Sequence, residues 1–374
     1  MTSDTLFING RFLTQDMTGV QRYASEIVKA LDNWLVAAGP DVPTCRLLAP
    51  KGADVTGLDL KAIGFQTGGV GGGHPWEQSW LPLTASGGVL LSLCNSAPVL
   101  HGRSLSVIHD AIIYRRPAQF SASYRRLHQT LGRVLSRTSK LATVSHFSQN
   151  ELSETLGIDP GRIAVIPNGS DHIRSIAPDD AVVSRLGLTP NGYFLFVGSP
   201  APHKNLSSAL RAFAQLADPN MKFVVVGAAK AKVFGGGDLK AGDNVLFTGR
   251  LTDAEIAGLY RQARAFVFPS LYEGFGIPPL EAMVHGCPVI ASAIPSCREV
   301  CADAALFFPP DDADALTDAL RRLVDEPALA GTLRQKGLTR SGAYTWAHSA
   351  QLLVERLYQG DLLRGRPPVL KVAA

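Results

Sequence analysis

The sequence predicts an α/β protein of two domains, each built on a parallel sheet covered by helices. With 374 residues, the chain exceeds what one ordinary hydrophobic core organises, so two domains of common size are expected. Short apolar runs alternate with helical periodicity along most of the chain, a pattern typical of parallel strands buried under helices. A polar, turn-rich stretch at residues 169–192 separates the two alternating halves and predicts the connection between them.

Six strands are predicted in the first half, which we assign to a first domain, residues 1–175. They are TLFING, CRLLAP, VLLSLC, LSVIHDAI, LATVS and RIAVIPNG. The glycine-rich segment TGGVGGGH, residues 67–74, predicts a loop at the strand ends. Trp76 and Trp80 lie four residues apart, a spacing that favours a shared core-facing side of a helix over a role in stacking on a substrate.

The alternation restarts in the second half and predicts a second sheet within residues 176–350. Its strands are YFLFVGS, KFVVVGA, NVLFTGR, AFVFPS, PVIAS and ALFFPP. The tail, which begins at YTWAHSAQLLVERLY, predicts one or two terminal helices.

Composition indicates a folded chain and narrows the classes of function. Hydrophobic residues make up 46% and charged residues 18% of the chain, and the formal net charge is +4, which argues against disorder and against a strongly basic nucleic-acid-binding protein. Five scattered cysteines without C-x-x-C spacing predict neither a disulfide framework nor a zinc site and favour a reducing cytosol. No signal-peptide pattern and no apolar run of about 18 residues is present, so no membrane-spanning helix is expected.

Ligand contacts are expected where strands end, because open parallel sheets bind ligands outside the carboxyl ends of their strands. One such junction is PSLYEGFGIPPLEAM, residues 269–283. Pro278 and Pro279 suit the first turn of a helix, where a missing N–H costs nothing. The helix dipole favours an anion at this turn. The amides that remain to donate to it are those of Gly276, Ile277 and Leu280.

Two glutamates flank this predicted anion site. Glu273 lies in the loop, and Glu281 is expected inside the first helical turn. Each would be free to accept hydrogen bonds from hydroxyls, which sugars and riboses supply. The stretch therefore predicts a ligand that carries both phosphate and hydroxyl groups.

These residues resemble the signature of a known family. EGFGIPPLEAMVHGCPVIAS is similar to the signature of family 4 retaining glycosyltransferases of the GT-B fold, which has two glutamates separated by seven residues. Further segments match in the family's order over nearly the whole chain: MTGVQRYASEIVKAL, VIHDAI, VSHFSQNEL, VIPNGSD, FVGSPAPHKNL and FTGRLTDAEIAGLY. The resemblance implies two Rossmann-like domains whose sheets face each other across a cleft. It also implies an acceptor-binding first domain, a sugar-nucleotide-binding second domain, and a helix in residues 351–374 that packs back on the first.

The resemblance implies a donor site in the second domain. Glu273 would face the transferred sugar, and Glu281 would hold the ribose hydroxyls. Phe275, Gly276 and Ile277 would line the donor, with the latter two offering backbone N–H groups.

Three positions outside this stretch are implied to surround the donor's diphosphate and base. Lys204 matches a basic residue that neutralises the diphosphate, a role that suits a compact ammonium. Ser199 stands where family members often carry an arginine, so this chain lacks that second guanidinium. Arg250 is a candidate to replace it in part, although its position in the family lies nearer the nucleobase.

The first domain is implied to contribute four residues. Gly19 would let the backbone approach the diphosphate or the acceptor at the start of the first helix. His109, at a strand end, would lie beside the reacting sugar, with Asp110 orienting it or binding the acceptor. Ser145 is similar to a family serine near the cleft that would contact the acceptor, but it also suits an ordinary N-cap.

The implied reaction is transfer of a glycosyl group from a sugar nucleotide to a hydroxyl, with retention at the anomeric carbon. No spare carboxylate is evident as a nucleophile for double displacement, so same-face attack is expected, with Lys204 stabilising the departing diphosphate. No metal or other cofactor is expected. Similarity to bacterial polysaccharide mannosyltransferases favours mannose from GDP-mannose, added to a lipid-linked oligosaccharide intermediate.

Other functions remain open. A UDP-, ADP- or dTDP-sugar donor, or a sugar-nucleotide epimerase, would keep the same phosphate site. A non-catalytic, membrane-associated module that binds nucleotide sugars would show binding without turnover, and the presence of Glu273, Glu281 and Lys204 argues against it. An NAD-dependent dehydrogenase is disfavoured, because no G-x-G-x-x-G follows an early strand.

A basic segment, residues 115–140, predicts contact with anionic membrane lipids at the inner face of the plasma membrane. From residue 111 to 150 there is no Asp or Glu, and the cations are Arg115, Arg116, Arg125, Arg126, Arg133, Arg137 and Lys140. Helical spacing places an apolar stripe beside three of the arginines, formed by Leu127, Leu131, Val134 and Leu135. A solvated basic face is the alternative. Nucleic acid is disfavoured, because no aromatic interleaving accompanies the charges.

Overall fold

The computed structural model describes residues 4–40, 42–227, 242–365 and 367. Backbone contacts divide the chain into two compact units. The N-terminal unit comprises Met1–Gly169 with Trp346–Ala374, and the C-terminal unit comprises Ser170–Thr345. Each unit is built on its own parallel sheet, which confirms the predicted α/β class.

The sheet of the N-terminal unit has seven strands within the described residues, in the order β3-β2-β1-β4-β5-β6-β7. The strands are β1 (Thr5–Asn9), β2 (Thr44–Pro50), β3 (Gly64–Gly68), β4 (Val89–Ser92), β5 (Ser104–Val107), β6 (Lys140–Thr143) and β7 (Ile163–Val165). Six of them match the predicted runs, and three of these, β2, β5 and β6, begin one residue earlier than predicted. The strand that sequence reasoning missed is β3, because GFQTG is a largely exposed edge strand without an apolar run.

Helices connect these strands and cover the sheet. They are α1 (Gly19–Ala38), α2 (Gly73–Thr84), α3 (Ile112–Arg115), α4 (Ala122–Thr138) and α5 (His146–Leu156).

The C-terminal unit has six strands within the described residues, in the order β10-β9-β8-β11-β12-β13. They are β8 (Tyr193–Val197), β9 (Lys222–Val226), β10 (Val245–Gly249), β11 (Ala265–Phe268), β12 (Val289–Ser292) and β13 (Ala305–Phe308), all within predicted runs. The helices are α6 (Ala181–Arg185), α7 (Leu206–Leu216), α8 (Asp253–Gln262), α9 (Ile277–Val284), α10 (Pro295–Cys301), α11 (Ala313–Asp325) and α12 (Pro327–Gly342). The core on one face packs α7 and α11 against the sheet, with Phe194, Phe223 and Leu320 fully buried.

The last helix, α13 (Trp346–Gln359), belongs to the N-terminal unit and packs against α1. The ring of Trp346, its first residue, meets the ring of Tyr23 edge-on at 5.8 Å. The end of the chain is therefore anchored on the N-terminal unit by an aromatic contact at the start of the helix.

In each sheet the strand order reverses between two neighbouring parallel strands, β1 and β4 in one unit and β8 and β11 in the other. Later strands are added outward on either side of this point. At such a point the loops leave two adjacent strands toward opposite faces of the sheet and open a crevice at the carboxyl ends. Residues that follow these four strands are therefore best placed to contact a ligand.

The tryptophan pair lies in the core, as predicted, and it explains part of the glycine-rich segment. Trp76 is fully buried, its Nε1 donates to the carbonyl of Gly68 at 2.8 Å, and its ring stacks on Trp80. A Cβ on Gly69, whose φ is +79°, would lie 2.7 Å from the Trp76 ring. The segment is thus only partly a loop, because its first residues end β3 and its last residues begin α2.

The five cysteines are all free thiols, and four of them are buried. No helix within the described ranges has the length and apolarity needed to cross a bilayer.

Candidate active site

Two predicted site residues meet at the strand reversal of the C-terminal sheet. Lys204 ends a short 3-10 turn after β8, and Glu273 lies in the loop after β11. The Nζ of Lys204 lies 2.7 Å from Oε1 of Glu273. The N–H of Leu271 donates to the carbonyl of His203 at 2.7 Å, which ties the two loops together. Neither charged side chain is fully buried, so the pair remains accessible to a ligand.

This ion pair is better suited to binding than to stabilising the fold. A partly exposed Lys–Glu pair contributes about 0–1 kcal/mol to folding. The ammonium also lies 5.5 Å from the centroid of the Phe268 ring, which restricts where it can point. The structure therefore presents a positioned cation beside a carboxylate at the carboxyl edge of the sheet.

The helix α9 begins directly after the Glu273 loop. Its N-cap, Gly276, has a φ of 104°, a left-handed conformation that favours glycine. Pro278 and Pro279 lie in the first turn, as predicted. The two prolines have no N–H, and the N–H of Leu280 makes the first intrahelical hydrogen bond, to the carbonyl of Gly276. The amides that this turn can offer are therefore those of Gly276 and Ile277, which corrects the expectation for Leu280.

Phe275 packs into the C-terminal unit. It is buried, and its ring meets Tyr344 edge-on at 5.5 Å. The side chain of Phe275 therefore anchors the loop against Tyr344. Only the backbone of this residue remains to contact the sugar nucleotide, as predicted for it.

Glu281 has a protein partner, which corrects the expectation that both glutamates are free. It lies in the second turn of α9, not the first, and its Oε1 is 3.0 Å from Nε2 of His172. The role of Glu281 at the ribose stays a prediction. Sequence reasoning missed His172, which lies in the polar stretch at 169–192 that predicted only a connection.

Ser199 and Arg250 follow β8 and β10 at the same carboxyl edge, and both are exposed. The edge is held together by backbone hydrogen bonds, from Gly198 to Val226 at 3.0 Å and from Gly227 to Gly249 at 2.7 Å. Their roles at the diphosphate and the base stay predictions.

His109 follows β5 in the N-terminal unit and is buried as a neutral ring. Its Nε2 lies 2.8 Å from the carbonyl of Leu93 and must donate to it, which leaves Nδ1 as the lone-pair nitrogen. The Tyr23 ring packs edge-on at 4.7 Å. Burial lowers the pKa of His109 to about 4, against a smaller opposing effect of the Leu93 carbonyl. At neutral pH the residue can therefore act as a hydrogen-bond acceptor but not as a cation.

This burial makes stability depend on pH. As the pH falls from about 6.5 to about 4, the unfolded His109 takes up a proton and the folded one does not, so stability is lost. The full effect is roughly 3 kcal/mol. Urea unfolding at several pH values should show that His109→Gln loses less stability over this range than wild type. Equal losses in the two proteins would contradict the assignment.

The other predicted residues of this unit have structural partners. Asp110 accepts the N–H of Ile112 at 2.9 Å beside the start of α3. Ser145 is buried and accepts the N–H of Ser148 at 2.9 Å as the N-cap of α5, so the alternative cap role is confirmed. Gly19 is the exposed first residue of α1. Roles of these residues in binding the acceptor or the diphosphate stay predictions.

A cavity of about 250 Å³ lies at the strand reversal of the N-terminal sheet. Its lining is mainly polar and includes Gln15, Asp16, Gln21, Asn95, Tyr124 and His128. Neither Asp110 nor Ser145 is among the residues that line it. Amides, a carboxylate and an aromatic ring are groups that hydrogen-bond and stack on a sugar.

Arg11, which lines this cavity, belongs to a buried ion pair that sequence reasoning missed. Arg11 Nε lies 3.1 Å from Oε1 of Glu77, whose side chain is fully buried. Asn9, His74 and Ser96 also bond the carboxylate. Burial alone would raise the pKa of Glu77, but the hydrogen bonds and the Arg11 charge outweigh it and lower the pKa. No motif marks this network, because its members come from three separate segments.

The basic segment includes the last residue of α3, all of α4 and the first residue of β6, and not all of its charges are free to contact lipid. Arg115 is paired with Glu151 at 2.7 Å and also with Glu154. On α4, Leu131 and Leu135 of the predicted apolar stripe are buried. Leu127, assigned to the same stripe, is 42% exposed. Tyr124 stacks on Phe120, so aromatic rings do accompany the charges.

Comparison with known proteins places the chain among sugar-transferring enzymes. Residues 185–340 match the model described as Glycosyl transferases group 1, and residues 84–174 match Glycosyltransferase Family 4. The O-antigen chain mannosyltransferase B of Escherichia coli is 29% identical over 263 residues, which cover 65% of this chain and 67% of that protein. The O-antigen chain mannosyltransferase RfbU of Salmonella typhimurium is 31% identical over 241 residues, 62% of this chain and 64% of that protein.

Solved structures share the fold over almost the full length. HepE of Anabaena, in complex with UDP-glucose, superposes with a TM-score of 0.73 at 19% identity and covers 95% of this chain and 99% of that one. The chain therefore has the GT-B fold that the sequence predicts.

Proposed function

We propose that this chain, which matches the Glycosyl transferases group 1 and Glycosyltransferase Family 4 models, transfers a hexose from a sugar nucleotide to a hydroxyl with retention. The observation that carries the proposal is the Lys204–Glu273 pair, 2.7 Å apart, next to the N-cap Gly276 of α9. A cation, a carboxylate and helix N-terminal amides converge at one strand reversal. This set matches the anionic diphosphate and the hydroxyl-bearing sugar of such a donor.

The proposed step needs no protein nucleophile. The bond between the anomeric carbon and the diphosphate oxygen breaks, and the acceptor oxygen bonds to that carbon on the same face. The acceptor's proton passes to the departing phosphate oxygen. Lys204 moves from Glu273 onto the diphosphate and stabilises the charge that develops there, while Glu273 positions the sugar. Glu281 holds the ribose hydroxyls through its carboxylate, which His172 keeps in place.

We further propose mannose from GDP-mannose as the donor and a lipid-linked oligosaccharide as the acceptor. The support is that both relatives described above are named O-antigen chain mannosyltransferases. The alignments leave about a third of each relative's length unmatched. The lipid-linked acceptor is therefore part of this proposal only. The polar cavity beside Tyr124 offers a place for an acceptor sugar.

Donor choice can be tested by thermal unfolding with GDP-, UDP-, ADP- and dTDP-sugars in the presence of EDTA. A donor at about 100 times its dissociation constant should stabilise the protein by about 2.7 kcal/mol. We expect GDP-mannose to give the largest shift and to be turned over without added metal, with an α-linked product by NMR. A larger shift with another nucleotide would reassign the donor, and an inverted product would contradict the mechanism.

We also propose that the exposed face of α4 contacts an anionic membrane, with the enzyme at the inner face of the plasma membrane. Exposed Arg126, Arg133 and Arg137 lie on the same helix as half-exposed Tyr124 and Leu127. Each basic residue near lipid headgroups contributes about 1 kcal/mol, and apolar side chains can enter the interface.

Vesicle sedimentation tests this contact. The double variant Arg126→Gln, Arg137→Gln should bind phosphatidylglycerol vesicles about 30-fold more weakly than wild type. A matched variant in the C-terminal unit, Arg211→Gln, Arg321→Gln, removes the same charge from exposed positions on α7 and α11 and should bind normally. Equal weakening by both double variants would show a general charge effect in place of docking by α4.

A further inference from the structure

A second cavity in the N-terminal unit lies at the edge of its sheet where β6 and β7 begin. It has a volume of about 160 Å³. Lys140 begins β6 there, and Arg162 ends the short turn that leads into β7. Arg356, from the last helix α13, completes the lining. Since His109 and Ser145 follow the carboxyl ends of β5 and β6, the whole length of the strands separates this cavity from them.

The three cations at this cavity lack acidic partners. No carboxylate of the described residues lies within ion-pair distance of Lys140, Arg162 or Arg356. Acids at the same edge are engaged elsewhere: Asp159 accepts the N–H of Gly161 at 2.8 Å, and Asp4 is paired with Arg103 at 3.1 Å.

The arginines are held in place by backbone carbonyls, which leaves their charge uncompensated. Arg356 donates from one terminal nitrogen to the carbonyl of Arg162 at 3.1 Å, and Arg162 donates to the carbonyl of Ser136 at 3.4 Å. The Nε of Arg356 is buried and has no acceptor among the described residues. A buried guanidinium N–H without an acceptor is costly, and an anion in the cavity would satisfy it.

We propose that this cavity binds a phosphate group through Lys140, Arg162 and Arg356. Three cations suit a group that carries two negative charges, and the planar guanidinium matches phosphate oxygens. The group can belong to free phosphate or to a phospholipid headgroup, because both present the same oxygens. Its binding would join α13 to the edge formed by β6 and β7. The inference is independent of the proposed transfer reaction.

Calorimetric titration of the full chain with inorganic phosphate, at an ionic strength matched with chloride, tests the site. Arg356→Gln should weaken phosphate binding at least about tenfold, since it removes charge-assisted hydrogen bonds. Lys140→Gln, an exposed position that cannot disturb the core, should weaken it as well. The control variant Arg211→Gln, which removes an exposed charge from α7 of the C-terminal unit, should bind phosphate as wild type does. Lys204→Ala is titrated beside it to report any phosphate that binds in the donor site.

The lipid source is separated by vesicles of phosphatidylglycerol or phosphatidylcholine. Loss of phosphatidylglycerol binding in Arg356→Gln and Lys140→Gln, with no affinity of wild type for free phosphate, would assign the site to a headgroup. Binding of phosphate or vesicles that is equal in wild type and both variants would overturn the proposal. So would an effect of Lys204→Ala alone, which would place the phosphate in the donor site.

Discussion

Replacing Lys204 with alanine is expected to slow glycosyl transfer by about 10²–10³-fold, because the diphosphate then leaves without its cation. Glu273→Ala is expected to reduce transfer to a trace that single-turnover kinetics can still quantify, while the protein stays folded. The two side chains are 2.7 Å apart and act on one donor, so their effects should not add. The double variant should be no slower than Glu273→Ala, as measured by single-turnover kinetics with saturating donor.

A second Lys–acid pair in the same unit serves as the control. Lys336 lies 2.9 Å from Asp303, and both side chains are exposed. Lys336→Ala should leave turnover unchanged and alter stability by less than about 1 kcal/mol. Normal turnover in Lys204→Ala, or strictly additive losses in the double variant, would contradict the assignment of the pair to the donor.

The largest effect on stability is expected from Arg11→Met. It would leave the fully buried carboxylate of Glu77 without its cation, and breaking a buried pair from one side costs about 3–5 kcal/mol. Denaturant unfolding at pH 7 measures the loss. Removing both charges in Arg11→Met, Glu77→Leu should recover much of it, because a buried pair replaced by apolar groups is often neutral.

The exposed pair Arg321–Asp318, 2.8 Å apart, supplies the comparison. Arg321→Met should cost less than about 1 kcal/mol, since solvent screens both charges. A loss in Arg11→Met as small as in this control would show that Glu77 does not depend on Arg11, and the lowered pKa of Glu77 would then need another cause.

The sequence predicts the central architecture well because most strands are buried on both faces and therefore appear as continuous apolar runs. The predicted runs contain β8, β11 and β12, as well as the proline-marked start of α9. The edge strand β3 escapes prediction, since an exposed strand needs no apolar run.

Predicting the site from sequence works where one segment carries the pattern and fails where partners come from distant segments. Glu273, Gly276 and the prolines share one stretch, whereas the His172–Glu281 contact joins residues 109 positions apart. The Arg11–Glu77 pair spans 66 positions in the same way. Such contacts depend on strand order, which brings sequence-distant loops to one sheet edge.

The most direct test is a crystal structure of the protein with GDP-mannose bound. Diphosphate oxygens are expected within hydrogen-bond distance of the Ile277 amide and of Lys204 Nζ. The ribose is expected to contact Glu281, and the mannose is expected to contact Glu273. A donor bound away from the loop between Glu273 and Gly276, with Lys204 still paired to Glu273 alone, would contradict it.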